Sequence, residues 1–246
     1  MRFFIEKQNI TQNKITLLGD DVAHMKDVLR LKTGDTLTIC NGDCTDYTCT
    51  IDTITKKEAT LNITNKQPNS NEPPLNLTLF QALPKTPKVD IIIQKCVELG
   101  ITNIVFFESE RSVQKLKDQK DITKKLERWQ KISKAAAMQS QRGIVPTINY
   151  VSNFASTLTV YDPPINSLVA YEDETTTHIK TALTTSLDST HLGIYIGPEG
   201  GFAMHEIEQM KSLSITPVSL GKRILRTETA AIVVTALIMY EMDSTI

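Results

Sequence analysis

The chain has 246 residues, of which 40% are apolar and 22% charged, and its formal net charge is −1. The apolar share is large enough for a packed core, and the near-zero charge gives no overall field that would attract nucleic acid. The length fits one large domain, or a small domain followed by a larger one. Four unevenly spaced cysteines give no disulfide framework, no apolar run reaches membrane-spanning length, and Met1–Ile5 is too short for a signal peptide. We therefore expect a cytoplasmic protein.

Charge is unevenly distributed along the chain. From Arg111 to Arg142 there are ten lysine or arginine residues and three acids, whereas Tyr150 to Ile215 holds eight acids and two lysines. A basic segment permits local phosphate binding in a nearly neutral protein. A solvated helix face is an equally good interpretation of the same segment.

The first 66 residues consist mainly of short alternating runs separated by turn residues, which predicts a small β domain. Its strands are predicted at Lys14–Leu18, Thr36–Cys40, Tyr47–Ile54 and Glu58–Ile63. One helix is predicted over Val22–Leu31. These elements are the ingredients of an oligonucleotide-binding barrel, though they are not unique to it. The polar, proline-rich stretch Asn65–Pro74 predicts a linker.

Three cysteines, Cys40, Cys44 and Cys49, surround a predicted hairpin turn at Asn41. A zinc site would need His24 as its fourth ligand, and no paired C-x-x-C spacing is present. Cysteines packed in strands and core are therefore the better interpretation, and we expect no metal.

After the linker, strands alternate with helices, which predicts a parallel sheet covered on both faces. We predict strands at Leu75–Ala82, Ile101–Phe107, around Ile148, and at Ser167–Glu172, His191–Ile196 and Pro217–Leu220. We predict helices at Val89–Leu99, Asp121–Gln141, Asn153–Val160, Thr175–Leu187, Met204–Leu213 and Thr227–Met242. The phosphate-binding, dinucleotide-binding and nucleophile-elbow motifs are absent from this part of the sequence.

Two glycine-bearing turns near the end of the chain each join a predicted strand to a predicted helix. They read Ile196-Gly-Pro-Glu-Gly-Gly-Phe202 and Leu220-Gly-Lys-Arg-Ile-Leu-Arg-Thr-Glu-Thr-Ala230. Ordinary turns, with Thr227 capping its helix, would explain one of them. Two such turns on consecutive units favour a ligand held by backbone N–H groups, because ligands of open α/β sheets collect where strands end. The residue types suit a ligand with one flat apolar part and one charged part.

These two motifs resemble those of the RsmE family, the 16S ribosomal RNA uracil-N3 methyltransferases. The resemblance extends over the whole chain, through Met1-Arg-Phe-Phe, Val28-Leu-Arg-Leu, Gln94-Lys-Cys-Val-Glu-Leu-Gly100 and Arg128-Trp onward. The sequence departs from the family pattern at Ala135, Met138 and Gln141, and in the Thr-Pro-Lys that follows Lys85. These departures affect the expected RNA contacts and leave the two turns intact.

The resemblance implies a PUA-like β-barrel RNA-binding domain over residues 1–68 and a SPOUT methyltransferase domain over residues 75–246. It implies an α/β parallel sheet with a trefoil knot in the segment from about residue 168 to the C-terminus, although knots are nearly absent from proteins. It also implies S-adenosylmethionine as cofactor, no metal, 16S ribosomal RNA or the small subunit as partner, and a homodimer through the knotted domain.

The resemblance assigns site residues by motif. Cofactor contacts are expected from the two turns and the end of the strand before them, at Tyr171, Glu172, Ile196, Gly197, Pro198, Glu199, Gly200, Leu220, Gly221, Ile224, Leu225 and Thr227. RNA contacts are expected at Arg2, His24, Lys26, Arg30, Lys32, Arg111, Gln139 and Arg142.

Methylation at N3 of uracil requires loss of its proton, which leaves negative charge shared with two oxygens. A guanidinium would stabilise that charge, and a carboxylate could accept the proton. Arg226 is the first candidate for the cation, Arg223 the second, and Glu228 the candidate acceptor. A loop-orienting arginine and a helix-dipole glutamate are the structural alternatives. The rival functions are an inactive RNA-binding assembly factor and a SPOUT enzyme acting on another RNA or on ribose.

Overall fold

A computed structural model describes residues 2–11, 13–116, 118–158, 166–186 and 190–242. The chain divides into two compact units, Met1–Glu72 with Ala137–Val145, and Pro73–Ala136 with Pro146–Ile246. The first change of unit falls inside the predicted linker. The return of residues 137–145 to the first unit differs from the predicted division, which gave those residues to the second domain.

The first unit contains a five-stranded sheet in the order β1-β3-β4-β5-β2. Its strands are β1 Arg2–Phe4, β2 Lys14–Leu18, β3 Thr36–Cys40, β4 Thr45–Ile54 and β5 Glu58–Pro68. β1 runs parallel to β3 and the other pairs are antiparallel. The four predicted strands are confirmed, but β5 continues through the first half of the predicted linker. The three-residue β1 was not predicted because it is too short to show a period.

Alternate side chains of these strands form the core of the first unit. In β3, Leu37 and Ile39 are buried while Thr36 is exposed, as a period of two requires. Cys40 and Cys49 are fully buried free thiols, which confirms them as core residues, and burial raises the pKa of each to about 11. Cys44 lies at the turn with φ 58° and is half-buried.

The helix predicted over Val22–Leu31 is shorter and irregular. Helix α1 spans Asp20–Ala23 and continues into a π-helical segment at His24–Val28. Val22 and Met25 pack into the core of the first unit from this segment. A single widened turn of this kind interrupts the regular period that the sequence pattern predicted.

The second unit contains six parallel strands in the order β11-β9-β10-β6-β7-β8. They are β6 Asn76–Ala82, β7 Asn103–Phe107, β8 Thr147–Val151, β9 Ser167–Ala170, β10 His191–Ile196 and β11 Thr216–Val218. The helices are α2 Thr86–Glu98, α3 Gln119–Gln139, α4 Phe154–Thr157, α5 Ile179–Ser186, α6 Met204–Ser212 and α7 Thr227–Met242. The predicted parallel sheet is confirmed. The predicted ends of two helices, at Val160 and Leu187, lie outside the described residues.

The centre of this sheet is buried on both faces, as expected for strands covered by helices. The rings of Phe80 in β6 and Tyr195 in β10 stack with their centroids 4.3 Å apart, and Phe107 and Phe154 pack around them. The order β11-β9-β10-β6 brings the loops after these four strands to one edge. None of the helices in the described ranges has the length and apolarity that a membrane crossing needs.

Candidate active site

A cavity of about 370 Å³ lies in the second unit where strands β9, β10 and β11 end. Three segments supply most of its lining: the residues after β9, the first glycine loop (197–203) and the second glycine loop (219–226). The lining residues are Lys88, Ala170, Tyr171, Glu172, Ile196, Gly197, Pro198, Glu199, Gly201, Ser219, Leu220, Gly221, Lys222, Arg223, Ile224, Leu225, Arg226, Thr227 and Ala230. All the predicted cofactor residues except Gly200 line this cavity. The structure brings them together, and their contact with a cofactor stays a prediction.

The first loop depends on glycine at Gly201. Its φ is 67°, a conformation that other residues avoid, and an added Cβ would lie 2.2 Å from Oε1 of Glu172. The close approach of this backbone to Glu172 joins the first loop to the segment after β9. Gly200, which the cavity lining omits, has its carbonyl oxygen bound by Arg111 Nη1 at 3.1 Å. Arg111 therefore contacts the first loop, a place that its predicted role in RNA binding did not indicate.

Thr227 ties the two glycine loops together. Its Oγ1 donates to the carbonyl oxygen of Gly197 at 2.6 Å and accepts from Gln81 Nε2 at 3.0 Å. Thr227 is the first residue of α7, and its hydroxyl is engaged outside the helix. The alternative of a helix cap is therefore wrong for this threonine.

Lys88, in the first turn of α2, was not predicted as a site residue. Its Nζ lies 3.1 Å from Glu199 Oε1 and 3.0 Å from Glu228 Oε2. The backbone N–H of Lys85 also donates to Glu199 Oε1 at 3.2 Å. The turn between β6 and α2 is thus a fourth wall of the site, which becomes visible only once β6 is known to lie beside β10.

The charges of this cluster reinforce each other. Burial raises the pKa of Glu199, but backbone hydrogen bonds and the Lys88 ammonium outweigh it and lower that pKa below its usual value. Burial lowers the pKa of Lys88, but Glu228 and Glu199 outweigh it and raise that pKa. Both shifts favour the ionised forms of Glu199 and Lys88 at neutral pH.

The structure gives Glu228 an ion pair that its predicted role as proton acceptor did not include. Its carboxylate pairs with Lys88 and does not line the cavity. The structural alternative is therefore favoured, with Glu228 joining α7 to α2.

The second loop presents its cations to the cavity. Arg223 and Arg226 both line it and are exposed, and within the described residues neither guanidinium pairs with a carboxylate. Ile224 between them is 86% exposed, and Gly221 has φ 112°. Two unpaired guanidiniums beside a cavity can stabilise negative charge that develops there.

Hydrogen bonds hold the segment after β9 in place. Glu174 accepts from Thr176 Oγ1 at 2.6 Å and from the backbone N–H groups of Thr176 and Thr177 at 2.7 and 2.9 Å. These bonds lower the pKa of Glu174 to about 2. Burial and a hydrogen bond to Asp173 raise the pKa of Tyr171, so its ring lines the cavity as a neutral phenol.

Burial argues against two of the predicted RNA contacts. Arg2 and Arg142 are 7% and 2% exposed in the first unit, where Arg2 pairs with Asp46 and Arg142 with Glu72. Arg2 Nη1 also donates to the carbonyl oxygen of Arg142 at 2.6 Å. Both guanidiniums are therefore internal structural groups that phosphate does not reach.

The other predicted RNA contacts are more accessible. His24 is half-buried, with its ring edge-on to Phe3 at 5.8 Å. Four further side chains are exposed in the first unit: Lys26, Arg30, Lys32 and Gln139.

A six-stranded parallel sheet whose loops enclose a cavity at the strand ends defines an α/β ligand-binding domain. The protein-family model of an RNA methyltransferase domain matches residues 71–239, and the family model of an RNA methyltransferase PUA domain matches residues 17–64. The chain belongs to the ribosomal RNA small subunit methyltransferase E family. The resemblance drawn from its motifs is thereby confirmed, together with a PUA domain ahead of a parallel sheet.

Individual relatives agree with this assignment. The Bacillus subtilis ribosomal RNA small subunit methyltransferase E is 34% identical, over 98% of this chain and 97% of the relative. The Mesomycoplasma hyopneumoniae protein of that name is 38% identical, over 69% of this chain and 72% of the relative. The crystal structure of the Neisseria gonorrhoeae enzyme bound to S-adenosylmethionine is 29% identical, with a TM-score of 0.87 over 98% of this chain and 97% of that one.

Proposed function

We propose that this chain is an S-adenosylmethionine-dependent methyltransferase that methylates N3 of a specific uridine in 16S ribosomal RNA. The observation that carries the proposal is the cavity between the two glycine loops, with Arg223 and Arg226 beside it, neither of them paired with a carboxylate among the described residues. The names of the relatives and the cofactor bound to the Neisseria protein support the cofactor and the class of RNA. The uridine and its N3 atom rest on the family resemblance.

The lining residues fit such a cofactor. A volume of about 370 Å³ lies within the range of pockets for ligands of drug size. Apolar side chains of Ile196, Leu220 and Leu225 can flank a flat ring, and the loop backbones offer N–H and C=O groups to its edges. Glu172 and Glu199 provide carboxylates for a positively charged part.

When bound, S-adenosylmethionine supplies a methyl group on a sulfonium, which the base nitrogen attacks directly, so the chain needs no nucleophilic side chain. The chain must align the two reactants and stabilise the uracil anion. Arg226 lies immediately before α7 and lines the cavity, which makes it the first candidate for the stabilising cation, with Arg223 second. Lys88, Glu199 and Glu228 hold the surrounding segments in place.

The RNA partner is expected to contact exposed cations in each unit. Lys26, Arg30 and Lys32 serve in the first unit, and Lys120, Lys124 and Lys131 on the exposed side of α3 serve in the second. Neutralising phosphates releases counterions, so affinity should fall steeply as salt rises. Binding that is independent of salt would contradict this assignment.

The homodimer and the knot are part of the same proposal. Exposed apolar side chains on two packed helices of the second unit support a dimer: Ile91 of α2 and Leu237 and Tyr240 of α7, at 42%, 39% and 70% exposure. Sedimentation equilibrium on wild type and Leu237→Glu tests it. A dimer that Leu237→Glu converts to a monomer supports this face, whereas a monomeric wild type contradicts the dimer.

Nucleoside mass spectrometry of 16S ribosomal RNA decides between the candidate functions. RNA from cells lacking this protein should lose one 3-methyluridine, which returns with the wild-type protein and does not return with Arg226→Ala. Loss of another modified nucleoside would favour a different target. An unchanged nucleoside profile with defective subunit assembly would favour an inactive assembly factor.

A further inference from the structure

A buried glutamine lies beneath the cavity. Gln81, at the carboxyl end of β6, is 0% exposed and sits between Ile196 of β10 and Phe106 of β7 in the sheet register. Its side-chain amide reaches the carbonyl oxygen of Ala82 at 2.8 Å and Oγ1 of Thr227 at 3.0 Å. Its Oε1 is buried and has no hydrogen-bond partner among the described residues. Burying a polar atom without a hydrogen-bond partner costs folding free energy, and such an atom therefore calls for an explanation.

The direction of each hydrogen bond follows from the chemistry of the partners. The carbonyl oxygen of Ala82 can only accept, so the amide atom facing it must be the donor nitrogen. The second proton of that nitrogen points to Thr227 Oγ1, so the single hydroxyl proton of Thr227 goes to the carbonyl oxygen of Gly197. Two hydrogen bonds thus run in one direction, from Gln81 in β6 to Thr227 at the start of α7, and from Thr227 to Gly197 in the first glycine loop. We call this pair of hydrogen bonds the relay.

We propose that Gln81 is a positioning residue for the cofactor site. By fixing the proton direction at Thr227, it holds the first glycine loop against the end of the second. Gln81 does not line the cavity, so it acts through Thr227 and makes no contact with the substrate. The inference rests on the proposed function, because the ligand whose site is positioned is S-adenosylmethionine.

The relay predicts the behaviour of four variants. Gln81→Leu removes the donor and keeps a similar volume, and Thr227→Val removes the hydroxyl. Each should weaken calorimetric affinity for S-adenosylmethionine about tenfold, the loss expected for one engaged hydrogen bond. The double variant should be no weaker than either single one, because both break the same relay. Thr227→Ser keeps the hydroxyl and should recover most of the affinity that Thr227→Val loses.

Gln81→Glu tests the direction of the relay. A protonated carboxyl can donate to Thr227, whereas an ionised one accepts the threonine proton and frees the carbonyl of Gly197. Burial raises the pKa of such a carboxyl. The affinity of the Gln81→Glu protein for S-adenosylmethionine, relative to that of wild type, should therefore fall as pH rises through that pKa. The charged groups around the site, Lys88, Glu172, Glu199 and Glu228, are the same in both proteins, so the ratio of the two affinities isolates the introduced group.

A second measurement needs no cofactor. Amide hydrogen exchange in the loop 197–203 of the free protein should be faster in Gln81→Leu than in wild type, with exchange in the strands unchanged. If Gln81→Leu fails to fold, Gln81→Glu and Thr227→Val still test the relay. Variant affinities within twofold of wild type, or a Gln81→Glu ratio that is flat with pH, would overturn it. If wild type itself does not bind S-adenosylmethionine, the proposed function fails, and hydrogen exchange still judges the relay.

Discussion

Replacing Arg142 with alanine should destabilise the first unit and leave any RNA-binding surface untouched. Arg142 is 2% exposed, and its Nη2 and Nε lie 2.6 and 3.1 Å from the two carboxylate oxygens of Glu72. Removing one partner of a buried ion pair costs about 3–5 kcal/mol, because the other charge is left without compensation. The Glu72 side chain is 15% exposed and keeps the backbone donors of Gly143 and Ile144, so we expect the lower end, about 3 kcal/mol.

Urea denaturation followed by circular dichroism measures this loss of stability. RNA affinity is measured separately at a fixed salt concentration. Arg142→Lys should recover part of the stability, because a point charge cannot reproduce the fork of two donors. Arg30→Ala is the matched control, since Arg30 is exposed in the same unit and should change stability by less than about 0.5 kcal/mol. An Arg142→Ala protein of normal stability with weakened RNA binding would refute this reasoning and restore the surface role.

Further predictions concern the second unit. Arg226→Ala should bind S-adenosylmethionine normally yet transfer methyl about 10²–10³-fold more slowly, with partial rescue at higher pH. The control Lys222→Ala should be nearly normal in both measurements. Loss of cofactor affinity in Arg226→Ala would show a structural role for Arg226. Gly201→Ala should lower the free energy of unfolding by about 1–2 kcal/mol, because the φ of Gly201 is 67°. Gly200→Ala is the control and should leave that free energy unchanged, because an added Cβ there meets its nearest neighbour at 3.4 Å. Glu174 has its pKa lowered from 4.5 to about 2, so its contribution to stability is present above pH 4.5 and is lost as pH falls towards 2. The deficit of Glu174→Gln against wild type in urea denaturation should therefore shrink over that range, and a deficit constant with pH would contradict it.

Local sequence patterns predicted most of the elements well. β2, β3, β10 and α7 have the predicted bounds, because each is a distinct alternating or apolar run that ends at a clear turn or helix signal. The failures have physical reasons. β1 is three residues long, and its pairing with β3 depends on contacts that no local period records.

The loops of the candidate site could be predicted from the sequence, but the residues that hold these loops in place could not. The two glycine loops carry distinctive residues, so the cavity lining could be assigned from the sequence. Gln81 and Thr227 lie 146 positions apart, and Lys88 and Glu228 are separated by almost as much of the chain. Such partners become neighbours only through the order of the strands, which the alternation of strands and helices leaves open. For the same reason Arg142 was assigned to RNA when its actual partner is Glu72.

The return of residues 137–145 to the first unit has a consequence for synthesis on the ribosome. Domains generally fold as they emerge, yet here Glu72 lacks its guanidinium partner until Arg142 has been made. At roughly 5–20 residues per second, translating residues 73–145 takes on the order of 4–15 s. During that interval Arg2 also lacks the carbonyl oxygen of Arg142. A nascent chain stalled before residue 137 should therefore be cut by protease in the first unit more readily than one stalled after residue 145, although its first 72 residues are already complete.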